Sequence, residues 1–334
     1  MRDCMKRRML YAASQAYQPR MEVEQRRVGW IEPPAVIARG IDLALVGRVN
    51  EGVVVAFRGS LPPFFGTGND EWHVVLDWLN GSLSLCVEDR LYGGGVHLGF
   101  SDSMRRLWGD LDGKPGVHTA VQAMLDQSLL DRRSARHLFV TGHSKGGALA
   151  NLFAARAARQ TRWADLQISV ATIAAARAGN SAFAKSYAES RIACLRYELA
   201  SDPVPHLPPG PQMPGFVQSL ARALFPKLRT ADYQPVGERV TAGSASRELQ
   251  PWRGARRPQR LATLLERRGF RLTGLLPAPL TAHAICPGSG YDRLICLGEA
   301  ECDHGRSDSA VSTARPAARH KPVSAHGGGS SGWG

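Results

Sequence analysis

The residues best suited to chemistry form the run GHSKGG, residues 142–147. A β-branched segment precedes this run and an alanine-rich segment follows it, so we predict a strand, a tight turn and a helix. A Gly-x-Ser-x-Gly turn in this context holds its serine in a strained conformation at the sheet edge, beside the positive end of the helix dipole. Ser144 is therefore the candidate nucleophile, and the backbone N–H of Lys145 is a candidate oxyanion donor.

The two residues that flank this serine each allow two interpretations. His143 is either catalytic or a packing residue, and packing is favoured because its side chain leaves the turn in another direction. The side chain of Lys145 either places positive charge near the site or is solvated, and the sequence favours neither.

Short β-branched runs alternate with helical stretches on both sides of the turn. A hairpin is predicted first, where two apolar runs flank residues 50–52, whose types tolerate positive φ. The alternation that continues to about residue 210 predicts βαβ units, and hence an α/β fold with a largely parallel sheet and helices on both faces. The clearest elements are the strands 137–141, 168–173 and 192–199 and the helix 145–159.

The sequence predicts one domain with an N-terminal extension and a C-terminal tail. Residues 1–40 form an N-terminal extension, and the domain spans 41–302. Within it, the segment at about 210–275 is rich in Pro, Gly and Arg and is interpreted as an insertion with one helix at 259–267. Residues 303–334 are of low complexity, which predicts disorder.

The composition narrows the class of protein. In 334 residues, 42 Lys and Arg stand against 29 Asp and Glu, a net charge of +13, and 43% of residues are hydrophobic. That apolar fraction excludes a disordered chain. Because the excess charge lies largely outside residues 43–210 and forms no aromatic-interleaved basic motif, nucleic acid is disfavoured as a partner. Transient contact with a membrane or lipid surface fits the charge better.

The sequence contains no clear signal for a membrane segment, a secretory leader or a metal site. No apolar run approaches the ~18 residues needed to cross a bilayer, and the N-terminus has no apolar signal core. We therefore expect a cytoplasmic protein, with signal-independent export left open. Cys286, Cys296 and Cys302 lie close together but lack the spacing and paired histidines of a zinc site, so free thiols are expected. No metal or organic cofactor is indicated.

Six motifs in a characteristic order link the chain to a known family. They are VVVAFRGS at 53–60, DWL at 77–79, VHLGF at 96–100, VTGHSKGGALA at 140–150, ARAGNSAFA at 176–184 and SDPVPHLPP at 201–209. With them, residues 43–210 resemble the class 3 lipases, the alpha/beta-hydrolase family that includes the fungal triacylglycerol lipases. The resemblance implies an alpha/beta-hydrolase fold and a serine ester hydrolase acting on acylglycerols or phospholipids.

The resemblance also implies roles outside the nucleophile turn. Ser60 would supply the second oxyanion donor through its backbone N–H, the alternative being a plain turn residue. Residues 61–80 contain four aromatic side chains and correspond to the region that carries a mobile lid in relatives. The alternative for these aromatics is a fixed core. His97 is expected to be structural.

A nucleophilic serine needs a histidine base and a carboxylate that orients the base. Alpha/beta-hydrolases present them in the chain order Ser, Asp, His. Asp202 follows the predicted strand 192–199 and lies in a segment that looks like the acid motif of the family. Its rival, Asp165, precedes a strand instead of following one.

The base is the hardest residue to assign. His206 is too close to Asp202, in a Pro-rich loop, to reach the serine, and three further histidines lie in or beside the tail (His304, His320 and His326). His283 remains, with Tyr291 as a match for the aromatic that follows the histidine in relatives. The prediction is a triad of Ser144, His283 and Asp202. The alternative is a lipase-like fold that has lost catalysis and serves as a binding or signalling module.

Overall fold

A central sheet organises the part of the chain that the computed structural model describes. The described residues are 3–19, 26–60, 86–131, 136–199, 202, 204–208, 210, 232–241, 283, 285 and 290–296. The strands are β1 Ala35–Arg39, β2 Asp42–Val49, β3 Gly52–Phe57, β4 Cys86–Asp89, β5 Gly94–His97, β6 His137–His143, β7 Gln167–Ile173, β8 Gly179–Asn180, β9 Ile192–Tyr197, β10 Tyr233–Gln234 and β11 Glu238–Val240. Seven of these strands form the central sheet in the order β1-β2-β3-β6-β7-β9-β11.

The pairing of the strands places the carboxyl ends of the core strands at one edge. Strands β1, β2 and β3 pair antiparallel, and β3, β6, β7, β9 and β11 are parallel. The predicted hairpin is confirmed, since β2 and β3 meet around residues 50–52. Gly52 has φ +154° there, and a Cβ on it would lie 2.2 Å from the carbonyl oxygen of His137. A side chain at this position would therefore collide with β6.

Helices cover both faces of the central sheet. The described α-helices are α1 Asp3–Gln15, α2 Leu98–Trp108, α3 Val117–Leu130, α4 Lys145–Ala157, α5 Ser181–Ala188 and α6 Gly290–Cys296. Helices α2, α3 and α4 contribute to one apolar cluster, and α1 and α6 contribute to a second cluster on the opposite face. The predicted α/β class, with a largely parallel sheet between two layers of helices, is confirmed.

Alternate residues of β3 enter the two clusters, as the period of a strand requires. Val53 and Val55 point to the cluster that contains α4, and Val54 and Ala56 point to the cluster that contains α1. All residues of β3 are buried. A strand covered on both faces reads as a continuous apolar run, which is why VVVAF stands out in the sequence.

A smaller sheet has the order β10-β8-β5-β4. Its strand β10, and strand β11 of the central sheet, both come from residues 232–241. From the sequence, these residues are expected to lie inside an insertion at about 210–275. The structure corrects that interpretation for 232–241, because β11 pairs in parallel with β9 as an edge strand and β10 pairs with β8.

Some sequence predictions fall outside the described residues. These are the lid at 61–80, the helix at 259–267, the tail at 303–334 and the thiols of Cys286 and Cys302.

Among the described helices none is long and apolar enough to span a membrane. The described cysteines Cys4, Cys86 and Cys194 carry free thiols. Within the same residues no group of three His, Cys, Asp or Glu side chains is arranged to hold a metal ion.

Candidate active site

The candidate nucleophile lies between β6 and α4, at the carboxyl edge of the central sheet. Ser144 has φ 58° and ψ −126°, a left-handed conformation that is strained for a residue with a Cβ. Its N–H donates to the carbonyl of Ile173 at 3.0 Å, and its carbonyl accepts from the N–H of Gly147 at 3.0 Å. These backbone bonds hold the residue in the strained turn. The predicted strand, turn and helix are all present.

Glycines in this turn allow three backbones to approach one another. A Cβ on Gly142 would lie 2.2 Å from the carbonyl oxygen of Gly146, and a Cβ on Gly146 would lie 2.2 Å from the carbonyl oxygen of Phe57. Both contacts are with backbone atoms, which cannot rotate away. The spacing of the glycines therefore reflects the close contact of β6, α4 and the end of β3.

The carboxylate of Asp202 is buried, with 1% of its surface exposed, and it accepts three hydrogen bonds. Its Oδ2 accepts from Nδ1 of His283 at 2.8 Å and from the hydroxyl of Tyr291 at 2.7 Å, and its Oδ1 accepts from the N–H of Val204 at 2.9 Å. Because a carboxylate only accepts, Nδ1 of His283 must carry a proton. The other ring nitrogen, Nε2, is then the basic one in the neutral imidazole.

Tyr291 links the end of β9 to the carboxylate. Its hydroxyl accepts a hydrogen bond from the N–H of Leu199 at 3.2 Å while donating to Asp202. Burial raises the pKa of Tyr291, and the neighbouring charge of Asp202 raises it further. The phenol is therefore a donor at neutral pH, and it fixes the direction in which the carboxylate points.

The base lies against the residue that precedes the nucleophile. The carbonyl oxygen of His283 is 2.7 Å from Nε2 of His143, and the centroids of the two imidazole rings are 4.5 Å apart. Nε2 of His283 is buried and has no hydrogen-bond partner among the described side chains. This nitrogen has the free lone pair that a general base needs to take a proton from Ser144.

The structure thus brings Asp202 and His283 together, 81 positions apart in the chain, and places His283 against His143, the residue that precedes Ser144. The rival carboxylate, Asp165, is exposed and precedes β7 at the amino edge of the sheet. His206 ends a short 3-10 helix, Val204–His206, and burial lowers its pKa. The catalytic roles of the three triad residues remain predictions.

The loop after β3 approaches the nucleophile from the other side. A Cβ on Gly59 would lie 2.6 Å from the carbonyl oxygen of His143 and 3.2 Å from Cβ of Ser144. The neighbouring residue, Ser60, therefore lies at the same edge of the sheet as Lys145, the first residue of α4. This placement is compatible with two backbone donors for one oxyanion, and the roles of Ser60 and Lys145 in that site remain predictions.

The side chain of Lys145 is buried, so the solvated alternative is wrong. Only 4% of it is exposed, and its Nζ lies 2.6 Å from Oδ1 of Asp42. Nη2 of Arg106 lies 2.7 Å from Oδ2 of the same carboxylate. Burial opposes ionisation of Asp42, but the two cations outweigh it and hold its pKa below the ordinary value. The network joins the start of α4 to β2 and to the end of α2.

Both candidate structural histidines are buried. His143 has hydrogen-bonding partners at both ring nitrogens, Tyr17 at Nδ1 and the carbonyl of His283 at Nε2. Burial, and the nearby His283, lower its pKa well below the ordinary value. His97 stacks on Phe100 with ring centroids 4.2 Å apart, and burial lowers its pKa to about 3. These contacts support structural roles for both residues, through hydrogen bonds for His143 and through ring packing for His97.

Sequence reasoning missed three residues that support the site, namely Tyr17, Asp42 and Arg106. No motif marks them, because each reaches the site from a distant segment of the chain. The one available signal was Lys145 itself. A lysine that follows a buried turn needs a carboxylate partner somewhere in the fold, but the sequence does not say which one.

Comparisons with known proteins concern the fold and the family resemblance of this chain. The model of the family "Lipase (class 3)" matches residues 54–211. Lipase ZK262.3 of Caenorhabditis elegans is 39% identical over 71 residues, which span 21% of this chain and only 20% of the relative. Lipase II from Rhizopus niveus has a similar structure, with a TM-score of 0.50, 19% identity, and coverage of 74% of this chain and 85% of that chain.

A second solved structure, the lipase from Rhizopus microsporus var. chinensis, has a TM-score of 0.49 and 20% identity over 71% of this chain and 74% of that chain. At such identities a structural likeness shows the fold, and lipase II supports the alpha/beta-hydrolase fold predicted from the sequence. The resemblance to the class 3 lipases, predicted from six ordered motifs, is thereby confirmed over residues 54–211.

Proposed function

We propose that this protein is a serine hydrolase that cleaves lipid esters. One observation carries the proposal most directly. The hydrogen-bonded pair of Asp202 and His283 lies against the residue that precedes Ser144, and Ser144 occupies a strained turn at a helix N-terminus. A nucleophile, a base with one free nitrogen and an orienting carboxylate together make up the apparatus of acyl transfer.

The proposed reaction follows from this geometry. Oγ of Ser144 attacks the ester carbonyl carbon while its proton moves to Nε2 of His283, and Asp202 stabilises the resulting imidazolium. The backbone N–H groups of Ser60 and Lys145 bind the oxyanion of the tetrahedral intermediate. The alcohol leaves with the proton from His283. Water activated by the same histidine then attacks the acyl-enzyme and releases the acid.

The proposed substrates are acylglycerols or phospholipids. The family match favours a lipid ester. The net charge of +13 suits an anionic lipid surface, which such an enzyme must approach to reach its substrate. A panel of p-nitrophenyl esters, triacylglycerol and phospholipid would separate a simple esterase, a lipase and a phospholipase by their relative kcat/KM values.

Labelling with a fluorophosphonate tests the nucleophile. We expect the wild-type protein to be labelled and the Ser144→Ala variant to remain unlabelled, because the probe bonds only to an activated serine. In ester hydrolysis, His283→Ala and Asp202→Asn should each lower kcat by about 10³–10⁴-fold. An unlabelled wild type, or equal labelling of Ser144→Ala, would rule out the proposed enzyme and favour a non-catalytic binding module.

A further inference from the structure

A tyrosine from the N-terminal segment reaches the candidate site. Tyr17 follows α1, and its hydroxyl lies 2.8 Å from Nδ1 of His143, with the two rings in an edge-to-face arrangement. The same hydroxyl also lies against Gly59, in the loop that follows β3. The contact is close, because a Cβ on Gly59 would lie 2.1 Å from the hydroxyl oxygen. Tyr17 lies outside residues 54–211, the segment that the family model matches.

The donors and acceptors among Tyr17, His143 and the carbonyl of His283 determine where each proton lies. The carbonyl oxygen of His283 only accepts, so Nε2 of His143 must carry the hydrogen that it donates. Burial keeps the pKa of His143 low, so the ring is neutral and its Nδ1 is an acceptor. Burial also raises the pKa of Tyr17, so its hydroxyl is protonated and donates to Nδ1.

The same assignment excludes a second base. With Nδ1 and Nε2 of His143 both engaged, neither nitrogen is available to take the proton of Ser144. Nε2 of His283, by contrast, is buried and has no hydrogen-bond partner among the described residues. His143 therefore acts on the reaction through the backbone of His283 and not through proton transfer.

We propose that Tyr17 is a positioning residue: by donating to Nδ1 it acts together with the carbonyl of His283 to hold His143 in its Nε2–H tautomer, and thereby keeps the backbone of His283 against the residue that precedes Ser144. This inference rests on the proposed function. If the proton moved to Nδ1, the lone pair of Nε2 would face the carbonyl oxygen of His283, and the base would be pushed from its place. Small displacements of this kind are costly, since a shift of about 1 Å can reduce a rate by about 10²-fold.

The hydroxyl of Tyr17 also connects His143 with the loop that carries Ser60, the candidate oxyanion donor. Because it lies against Gly59 and hydrogen-bonds the ring of His143, it packs between the loop that carries Ser60 and the turn that carries the nucleophile. The positions of donor, nucleophile and base thus depend on one hydroxyl group.

Removing that hydroxyl tests the proposal. In Tyr17→Phe we expect kcat for a soluble p-nitrophenyl ester to fall by about tenfold with KM unchanged, because positioning acts on the transition state. Tyr11→Phe, in the same segment but outside the site, is the matched control and should keep kcat within about twofold. Thermal unfolding of both variants verifies that they are folded. Wild-type kcat in a folded Tyr17→Phe would overturn the proposal.

Tautomer measurement provides a readout that does not depend on activity. In the full chain with ¹⁵N-labelled histidine, we expect the ring of His143 to be neutral with its proton on Nε2, and to become a mixture of tautomers in Tyr17→Phe. The resonance is assigned by its loss in His143→Gln. An Nδ1–H tautomer in the wild type, or an unchanged Nε2–H tautomer in Tyr17→Phe, would overturn the proposal.

Conservative rescue separates positioning from bulk packing. The side-chain amide of His143→Gln can still donate to the carbonyl of His283, whereas His143→Phe fills the space without a donor. We expect the Gln variant to keep at least about tenfold more kcat than the Phe variant. Equal loss in both would contradict the role. Failure of the wild type to react with the fluorophosphonate would refute the proposed function, and the tautomer measurement would still decide whether Tyr17 controls His143.

Discussion

At the residue level, the direction of each hydrogen bond around Asp202 follows from what each group can donate or accept. The carboxylate only accepts, so His283 and Tyr291 must both donate to its Oδ2. Hydrogen bonds to a charged acceptor are stronger than neutral ones. The ring of His283 is oriented by a carboxylate that is itself held by the phenol of Tyr291 and by the backbone of Val204.

Replacing Tyr291 by Phe should weaken this support without removing the triad. The carboxylate would lose one of its three donors, and the N–H of Leu199 would lose its acceptor. A hydrogen bond to a charged group is worth about 1.5–3 kcal/mol, so we expect kcat/KM to fall by about tenfold or more and the free energy of unfolding to fall by a similar energy. Steady-state kinetics and urea unfolding measure both, and unchanged values would contradict the role assigned to Tyr291.

At the element level, the nucleophile turn depends on the close approach of β3, β6 and α4. Gly146 lies where α4 meets the end of β3, and any side chain there would enter the space of the backbone of Phe57. The helix α4 is buried along most of its length, so it cannot move outward to relieve such a collision. The strained conformation of Ser144 is therefore maintained by packing on both sides of the turn.

The Gly146→Ala substitution should disturb this junction. Its Cβ would lie 2.2 Å from the carbonyl oxygen of Phe57, so we expect a loss of at least about 2 kcal/mol in stability, together with slower fluorophosphonate labelling of Ser144. Gly109→Ala is the matched control, because a Cβ there meets nothing within 4 Å. Its stability should change by no more than about 1 kcal/mol. Equal effects of the two substitutions would contradict the steric account.

His97, the last residue of β5, should make the free energy of unfolding depend on pH. Burial lowers the pKa of His97 to about 3 from an ordinary value of 6.5. The unfolded chain therefore takes up a proton near pH 6.5 that the folded chain refuses, and the stability present above that pH is lost as the pH falls toward 3. Between pH 7 and 5 the loss from this residue is about 2 kcal/mol.

His97→Phe removes that titration while keeping an aromatic ring against Phe100. We expect the free energy of unfolding of the variant to fall less steeply between pH 7 and 5 than that of the wild type. Urea titrations at several pH values measure the difference. Parallel pH profiles for the two proteins would show that His97 is not buried in its neutral form.

In the molecule as a whole, the central sheet separates two apolar clusters that come from different parts of the chain. The cluster with α2, α3 and α4 is built mainly within the family match at 54–211. The opposite cluster relies on α1, which precedes that segment, and on α6, which follows it. Helix α1 also contacts β6 directly, since the carbonyl of Met9 accepts a hydrogen bond from Thr141.

Leu10→Ala tests how much α1 contributes to the stability of the whole protein. Leu10 is 1% exposed, so its truncation should cost about 3 kcal/mol through lost burial and the cavity that remains. Leu129→Ala is the matched control, because Leu129 is 65% exposed and lies on α3. We expect the control to lose no more than about 1 kcal/mol. Denaturant unfolding measures both, and equal losses would mean that α1 is not part of the stable core.

The sequence by itself determined what is local. The turn around Ser144 is encoded in contiguous residues, because its strain, its glycines and the helix that follows are all set within a few positions. The buried strands can also be recognised locally, because a strand covered on both faces is a continuous apolar run, as in β3. The alternation of strands and helices predicted the α/β fold, and the order of the motifs indicated the resemblance to the class 3 lipases. Asp202 was indicated by its motif, and His283 by its place among the histidines that follow it.

Only the tertiary structure decided which distant groups meet. It placed His283 and Tyr291 against Asp202, paired Lys145 with Asp42, brought Tyr17 to His143, and included residues 232–241 in the two sheets. Each of these contacts joins segments that are far apart in the chain. Their distances depend on how helices and strands pack together, and no local pattern of residue types records that packing.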